Sequence, residues 1–107
     1  MKRIIDMRSQ DVIITQQILN KHLPSHTDVW VFGSRAKGTA RPFSDLDLII
    51  KTHACPLAHP VVTALLDAFE ESDLPYKVDI VDWNTISDDF KKLISREKIK
   101  FVCHDSI

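Results

Sequence analysis

Glycine and cysteine each occur only twice in these 107 residues, and neither sign of charge prevails: fourteen Lys and Arg stand against fifteen Asp and Glu, a formal net charge of -1. Two cysteines, Cys55 and Cys103, are too few and too far apart for the disulfide framework of a small secreted domain, and ordinary reduced thiols fit them better. Without bulk positive charge there is no long-range attraction to nucleic acid or to an anionic membrane, so any polyanion bound must be small and locally gripped. No apolar run is long enough to cross a bilayer, and the opening Met1-Lys2-Arg3-Ile4-Ile5-Asp6 lacks the apolar centre of a signal peptide. The setting these absences predict is the cytoplasm, with no membrane contact and no nucleic-acid partner.

The rest of the composition is that of an ordinary globular protein, 44% apolar and 27% charged, with no repeat, low-complexity tract or linker. One domain over residues 1–107 is expected, large enough to bury its own core. Residues Ser9 to Leu23 read as a helix ended by Pro24-Ser25, although the apolar positions are spread too widely to form one stripe. Val29-Trp30-Val31-Phe32, stopped by Gly33, reads as a buried strand. In a second strand, Asp45 to Ile50, the side chains of Leu46, Leu48 and Ile50 point one way, and those of Asp45, Asp47 and Ile49 the other. Pro60 opens an amphipathic helix carrying Val62, Leu65, Leu66 and Phe69, which should stop near Leu74-Pro75. Tyr76 to Val81 is the third strand, and Ser87 caps a last helix with Asp88 and Asp89 in its first turn. The tail from Lys98 to Ile107 fits either a frayed helix or a strand. Together these elements predict an α/β (α+β) layer structure: a small mixed sheet of three to four strands with helices on one face, the acids lying on the other.

Chemistry concentrates between Phe32 and Ile50, a segment that holds both glycines. Gly33, directly after a strand, lets the backbone turn sharply and approach a ligand, and Ser34, Arg35 and Lys37 add a hydroxyl and positive charge. Asp45 and Asp47 share a strand face at a separation of roughly 6–7 Å. At an effective dielectric near 20 their repulsion costs about 2–3 kcal/mol, which a cation between or beside them would offset. Carboxylate oxygens of this kind suit Mg²⁺, completed by water and substrate phosphates. Asp79 supplies a third carboxylate on the same face if its strand is a neighbour, whereas Asp82 falls on the helix-packed side, where ending the strand or pairing with a base would account for it. Other readings are weaker. His53-x-Cys55 with Cys103-His104 matches no common zinc spacing, and the lysines from Lys91 to Lys100, interspersed with acids, read as a solvated face or partner contact more readily than as an RNA surface.

Gly33-Ser34, ten residues, then Asp45-x-Asp47 resembles the signature of the DNA polymerase β-like nucleotidyltransferase superfamily, most closely its minimal nucleotidyltransferases (MNT), and the segment from Ser72 to Trp83 resembles the part that carries that family's third acid. The resemblance implies a sheet-centred palm in which Gly33 and Ser34 hold a triphosphate, with Arg35, Lys37 and Ser44 as further nucleotide-binding residues. Asp45, Asp47 and Asp79 become the catalytic and metal-binding acids, with two Mg²⁺ ions and ATP as the nucleotide. Asp79 would orient or deprotonate the attacking hydroxyl. Members of this family are commonly encoded beside a helical HEPN protein, and some act as antitoxins that attach AMP to a tyrosine of that toxin. That implies a HEPN-type partner, with a homodimer or hetero-oligomer as the assembly. Two alternatives stay open: a non-catalytic module that neutralises its partner by binding, and a transferase to a small molecule held by a partner subunit.

Overall fold

The computed structural model describes residues 5–24, 26–53 and 57–104, the last three as backbone only. The elements run α1 (Ser9–His22), β1 (Thr27–Phe32), α2 (Ser34–Lys37), β2 (Leu46–Lys51), α3 (His59–Glu71), β3 (Val78–Asp82), a 3₁₀ turn (Trp83–Thr85), α4 (Asp88–Ser95) and β4 (Ile99–His104). The four strands form one sheet in the order β3-β2-β1-β4. β1 is antiparallel to both β2 and β4, while β2 and β3 run parallel. Parallel neighbours need a crossover, and α3 provides it. No helix among the described residues is long and apolar enough to cross a membrane.

Period-two alternation decides what each sheet face does. Val29 and Val31 of β1, Leu46, Leu48 and Ile50 of β2 and Val78 of β3 are buried together with Leu19 and Leu23 at the end of α1 and Leu65 and Phe69 of α3. The opposite face carries Trp30, Phe32, Asp47, Ile49 and Asp79. Helices α1 and α3 cover one face as the pattern predicts. Helix α4 departs from that expectation and packs on the other, where the Phe90 ring meets Phe32 edge-on at 6.3 Å. Trp83 of the 3₁₀ turn lies 5.9 Å from Trp30 on the same side. Ile49 and Ile94 are buried outside the main cluster. The acid-bearing face is therefore roofed over part of its area and open where the carboxylates stand.

Several element ends differ from the sequence reading for local reasons. β1 starts two residues early because Thr27 and Asp28 pair with β4, so the ambiguous tail is a strand as far as His104, with a bulge at Val29/Trp30. Residues 105–107 and Cys55, and the side chains of Cys103 and His104, lie outside the described residues. α3 ends at Glu71 because Ser72 turns the chain, its hydroxyl donating to the Phe69 carbonyl at 2.6 Å. α4 begins as predicted, with the Ser87 hydroxyl oxygen accepting from the Phe90 N–H at 3.2 Å.

Candidate active site

Three elements bring the acids together. The β2–β3 register sets Asp47 directly beside Asp79, on strands that neighbour at about 4.8 Å. Asp45, exposed, precedes β2 by one residue. Neither Asp45 nor Asp47 has a hydrogen-bond or ion-pair partner among the described residues, and Asp79 has only the Lys77 ammonium at 3.8 Å. Partial burial pushes the Asp47 carboxyl above its ordinary acidity range, and the charges of Asp79 and Asp45 push it further the same way. A carboxylate disfavoured by its surroundings and left without a protein cation is a group poised to take one from solution.

Gly33 fits against these acids. β1 pairs Phe32 with Asp47, so the next residue turns across the Asp47 carboxylate. It does so at φ 75°, and a Cβ built there would lie 2.5 Å from Asp47 Oδ2. Only glycine gives both the backbone angle and the space. Ser34 then opens α2 with its hydroxyl unpartnered among the described residues, and Gly38, also at positive φ, closes that single turn. Lys37 is exposed and reaches Glu97 beyond α4 at 3.3 Å.

Two of the residues expected at the nucleotide are engaged elsewhere. Arg35 is 4% exposed, and its guanidinium donates to the main-chain carbonyls of Ser44, Asp6 and Pro42. Its burial follows from a stack on the Tyr76 ring, 3.8 Å from the centroid. Ser44 folds its hydroxyl into the loop, where the oxygen accepts from the Arg41 N–H at 2.8 Å. The sequence reading missed what stands behind this: Tyr76 donates to Asp11 at 3.1 Å, and Asp11, 1% exposed, also accepts both ends of the Arg8 fork. No spacing rule signals that network, because it joins residues 65 positions apart. Asp82 behaves as predicted for a strand-ending acid, accepting from the N–H groups of Leu57 and Asn84.

The donor set suits a hard divalent cation: three carboxylates, two of them side by side and one on an adjoining loop, with an unpartnered hydroxyl nearby. Among the described residues no three such groups already stand close enough to enclose an ion. Grooves of about 570 and 410 Å³ flank Tyr76, and neither is lined by Asp45, Asp47 or Asp79.

A glycine turn at the end of β1 thus faces paired acids on the next two strands. The family model of polymerase β nucleotidyltransferases matches residues 14–107, and the chain belongs to that family. It is 45% identical over 92 residues to the probable protein adenylyltransferase MntA of Haemophilus influenzae, covering 86% of this chain and 79% of that one. Among solved structures, a toxin–antitoxin complex with AMP-PNP superposes with a TM-score of 0.72 at 23% identity, over 90% of this chain and 74% of that one. A tri-AMPylated HEPN toxin in complex with MNT antitoxin, from Shewanella oneidensis, gives 0.69 at 18%, over 91% and 73%. At these identities the superpositions show a shared fold.

Proposed function

We propose that this protein is a Mg²⁺-dependent nucleotidyltransferase that moves AMP from ATP onto a tyrosine hydroxyl of a HEPN-type helical partner, as the antitoxin of a toxin–antitoxin pair. The observation that carries the chemistry is the Asp47–Asp79 pair, in register beside Gly33 and met among the described residues by one ammonium, Lys77 at 3.8 Å from Asp79. Asp45 and Asp47 hold the metal, with Asp79 completing the set. Bound there, Mg²⁺ ions neutralise charge on the reacting α-phosphate and the departing pyrophosphate. Gly33 brings the backbone close to the triphosphate, Ser34 donates its hydroxyl, and Lys37 leaves Glu97 to meet the phosphates. Asp79, the acid nearest the outer edge of the sheet, orients the acceptor hydroxyl and takes its proton as it attacks in line. Support for the acceptor comes from the 45% identical relative, described as a protein adenylyltransferase, and from fold neighbours described as AMPylated HEPN toxin with its antitoxin. The acids lie on open sheet surface, which suits an acceptor as large as a folded protein.

The test is to mix the protein with Mg²⁺, labelled ATP and the helical protein encoded beside it. Label should pass to a tyrosine of that protein and should vanish with Asp45→Ala or Asp47→Ala. Transfer that survives both substitutions sinks the proposal. An Asp45/Asp47/Asp79 triple variant that still neutralises its partner would replace it with neutralisation by binding alone.

A further inference from the structure

Arg35 stands in the motif where a phosphate-binding cation is expected, yet every nitrogen of its guanidinium already donates to a main-chain carbonyl. Nε and one terminal nitrogen both donate to the Ser44 carbonyl, at 3.1 and 2.8 Å. That nitrogen also faces the carbonyls of Pro42 at 3.2 Å and Arg41 at 3.4 Å, while the other donates to Asp6 at 2.8 Å. One flat face is covered by Tyr76, itself anchored on buried Asp11. Moving Arg35 to a phosphate would strip the carbonyls of Ser44, Pro42 and Asp6 of this donor.

Ser44 carries the peptide bond that leads into Asp45. Because that bond is planar, fixing the Ser44 carbonyl fixes the direction in which the Asp45 backbone departs. On the other side of Asp45, the Leu46 N–H donates to the Lys77 carbonyl at 2.8 Å. Asp45 is thus gripped at both flanking peptides, while its own carboxylate is exposed and unpartnered among the described residues. We infer that Arg35 is a positioning residue which, through the Ser44 carbonyl, aims the Asp45 carboxylate at the metal site and does not ligate the nucleotide. A planar fork meets several carbonyls of one loop at once, and a lysine at the same place could not. The assignment rests on the metal-dependent reading of the site, but its test does not require turnover.

Mn²⁺ binding by the nucleotide-free protein, followed by EPR, reads the carboxylates directly. Arg35→Lys and Arg35→Gln should weaken Mn²⁺ by about ten- to a hundredfold, the usual cost of losing a group that orients a metal ligand. ATP affinity in EDTA should stay within about twofold, and the amides of residues 41–45 should exchange hydrogen faster. Unchanged Mn²⁺ affinity overturns the assignment, whether it comes with weakened ATP binding, the mark of a phosphate ligand, or with lowered thermal stability alone, the mark of a purely structural arginine. Should both variants fail to fold, Tyr76→Leu removes the stack and leaves the fork, and a several-fold loss of Mn²⁺ affinity is expected in place of none. Wild-type protein that binds Mn²⁺ through Asp45 but transfers no nucleotide would refute the catalytic reading and leave the positioning role standing. Absence of Mn²⁺ binding by the wild type overturns both.

Discussion

Strand β2 serves two surfaces from six consecutive residues. Leu46, Leu48 and Ile50 are fully buried beneath α1 and α3, each contributing about 1.5–3 kcal/mol by leaving water. Asp47, between two of them, faces the other way into Asp79 on the next strand. Carboxylates on strands spaced about 5 Å apart repel at an effective dielectric of 20 by about 3 kcal/mol, less what solvent screens at the half-exposed Asp79 and what the Lys77 ammonium offsets. The face beneath α1 and α3 thus holds the fold together, whereas the other, packed by α4 over part of its area, works against it where Asp47 and Asp79 meet. Lys77 offsets that cost only in part, and the alternation lets one strand carry both surfaces without sharing a residue between them.

The comparison predicts effects of different kinds on the two faces. The largest falls on the acid face: Asp47→Ala or Asp45→Ala should reduce transfer by about a thousandfold or more, since a metal supplies several kcal/mol of transition-state stabilisation. Melting temperature should hold or rise, because a repulsive charge has been removed. On the apolar face, Leu48→Ala should cost about 2–5 kcal/mol in denaturant unfolding, a large part of the stability of a small domain. Activity per folded molecule should survive that change. Loss of activity in folded Leu48→Ala protein, or severe unfolding of Asp47→Ala, would show that the faces are not separable.

Gly33 joins the faces, and Gly33→Ala is expected to affect both. At φ 75° and ψ -153° Gly33 lies in a region essentially open to glycine alone, where an L-residue costs about 1–3 kcal/mol. The added methyl also meets Asp47 Oδ2 at 2.5 Å, so the carboxylate must swing aside. Urea denaturation should show the first loss and Mn²⁺ binding the second. Gly38→Ala is the control, because that glycine has positive φ but a methyl added there would meet nothing within 4 Å. It should lose stability and keep metal affinity.

Much of this was legible in the chain because period-two alternation reports directly on which face a residue occupies. The separation of Asp79 from Asp82 came from that rule alone, and β3 places the first beside Asp47 and the second on the helix side as a cap. Helix α1 shows where the rule weakens. Its buried positions are Asp11, Thr15 and Leu19, so two of three are polar and satisfied by specific bonds, including Thr15 Oγ1 donating to the Asp11 carbonyl. Hydropathy cannot register such a face, which is why the stripe looks diffuse. Arg35 differs from Lys37 for a related reason: two basic residues two positions apart on one short helix read alike, but only Arg35 has an aromatic ring and a set of loop carbonyls brought to it by distant parts of the chain. Placement of α4 depended likewise on Phe32 and Phe90 meeting across the fold.

The smallest expected effect isolates the cost on the acid face. Burial and the neighbouring acids raise the Asp47 pKa in the folded state above the unfolded one, so the folded protein binds the proton more tightly. Stability from this group is then greatest below the ordinary carboxylate range and declines as pH rises through the raised value, the reverse of a salt-bridged aspartate. In metal-free buffer, Asp47→Asn should flatten that decline and leave the variant slightly more stable than wild type at neutral pH. Mg²⁺ should restore the wild type there by binding the folded state, and its protection should fade on acidification as Asp47 takes up a proton in place of the metal. A wild-type protein whose metal-free stability rises through the carboxylate range, with Asp47→Asn less stable than it, would mean that Asp47 is paired in solution and that the acid face is a structural one.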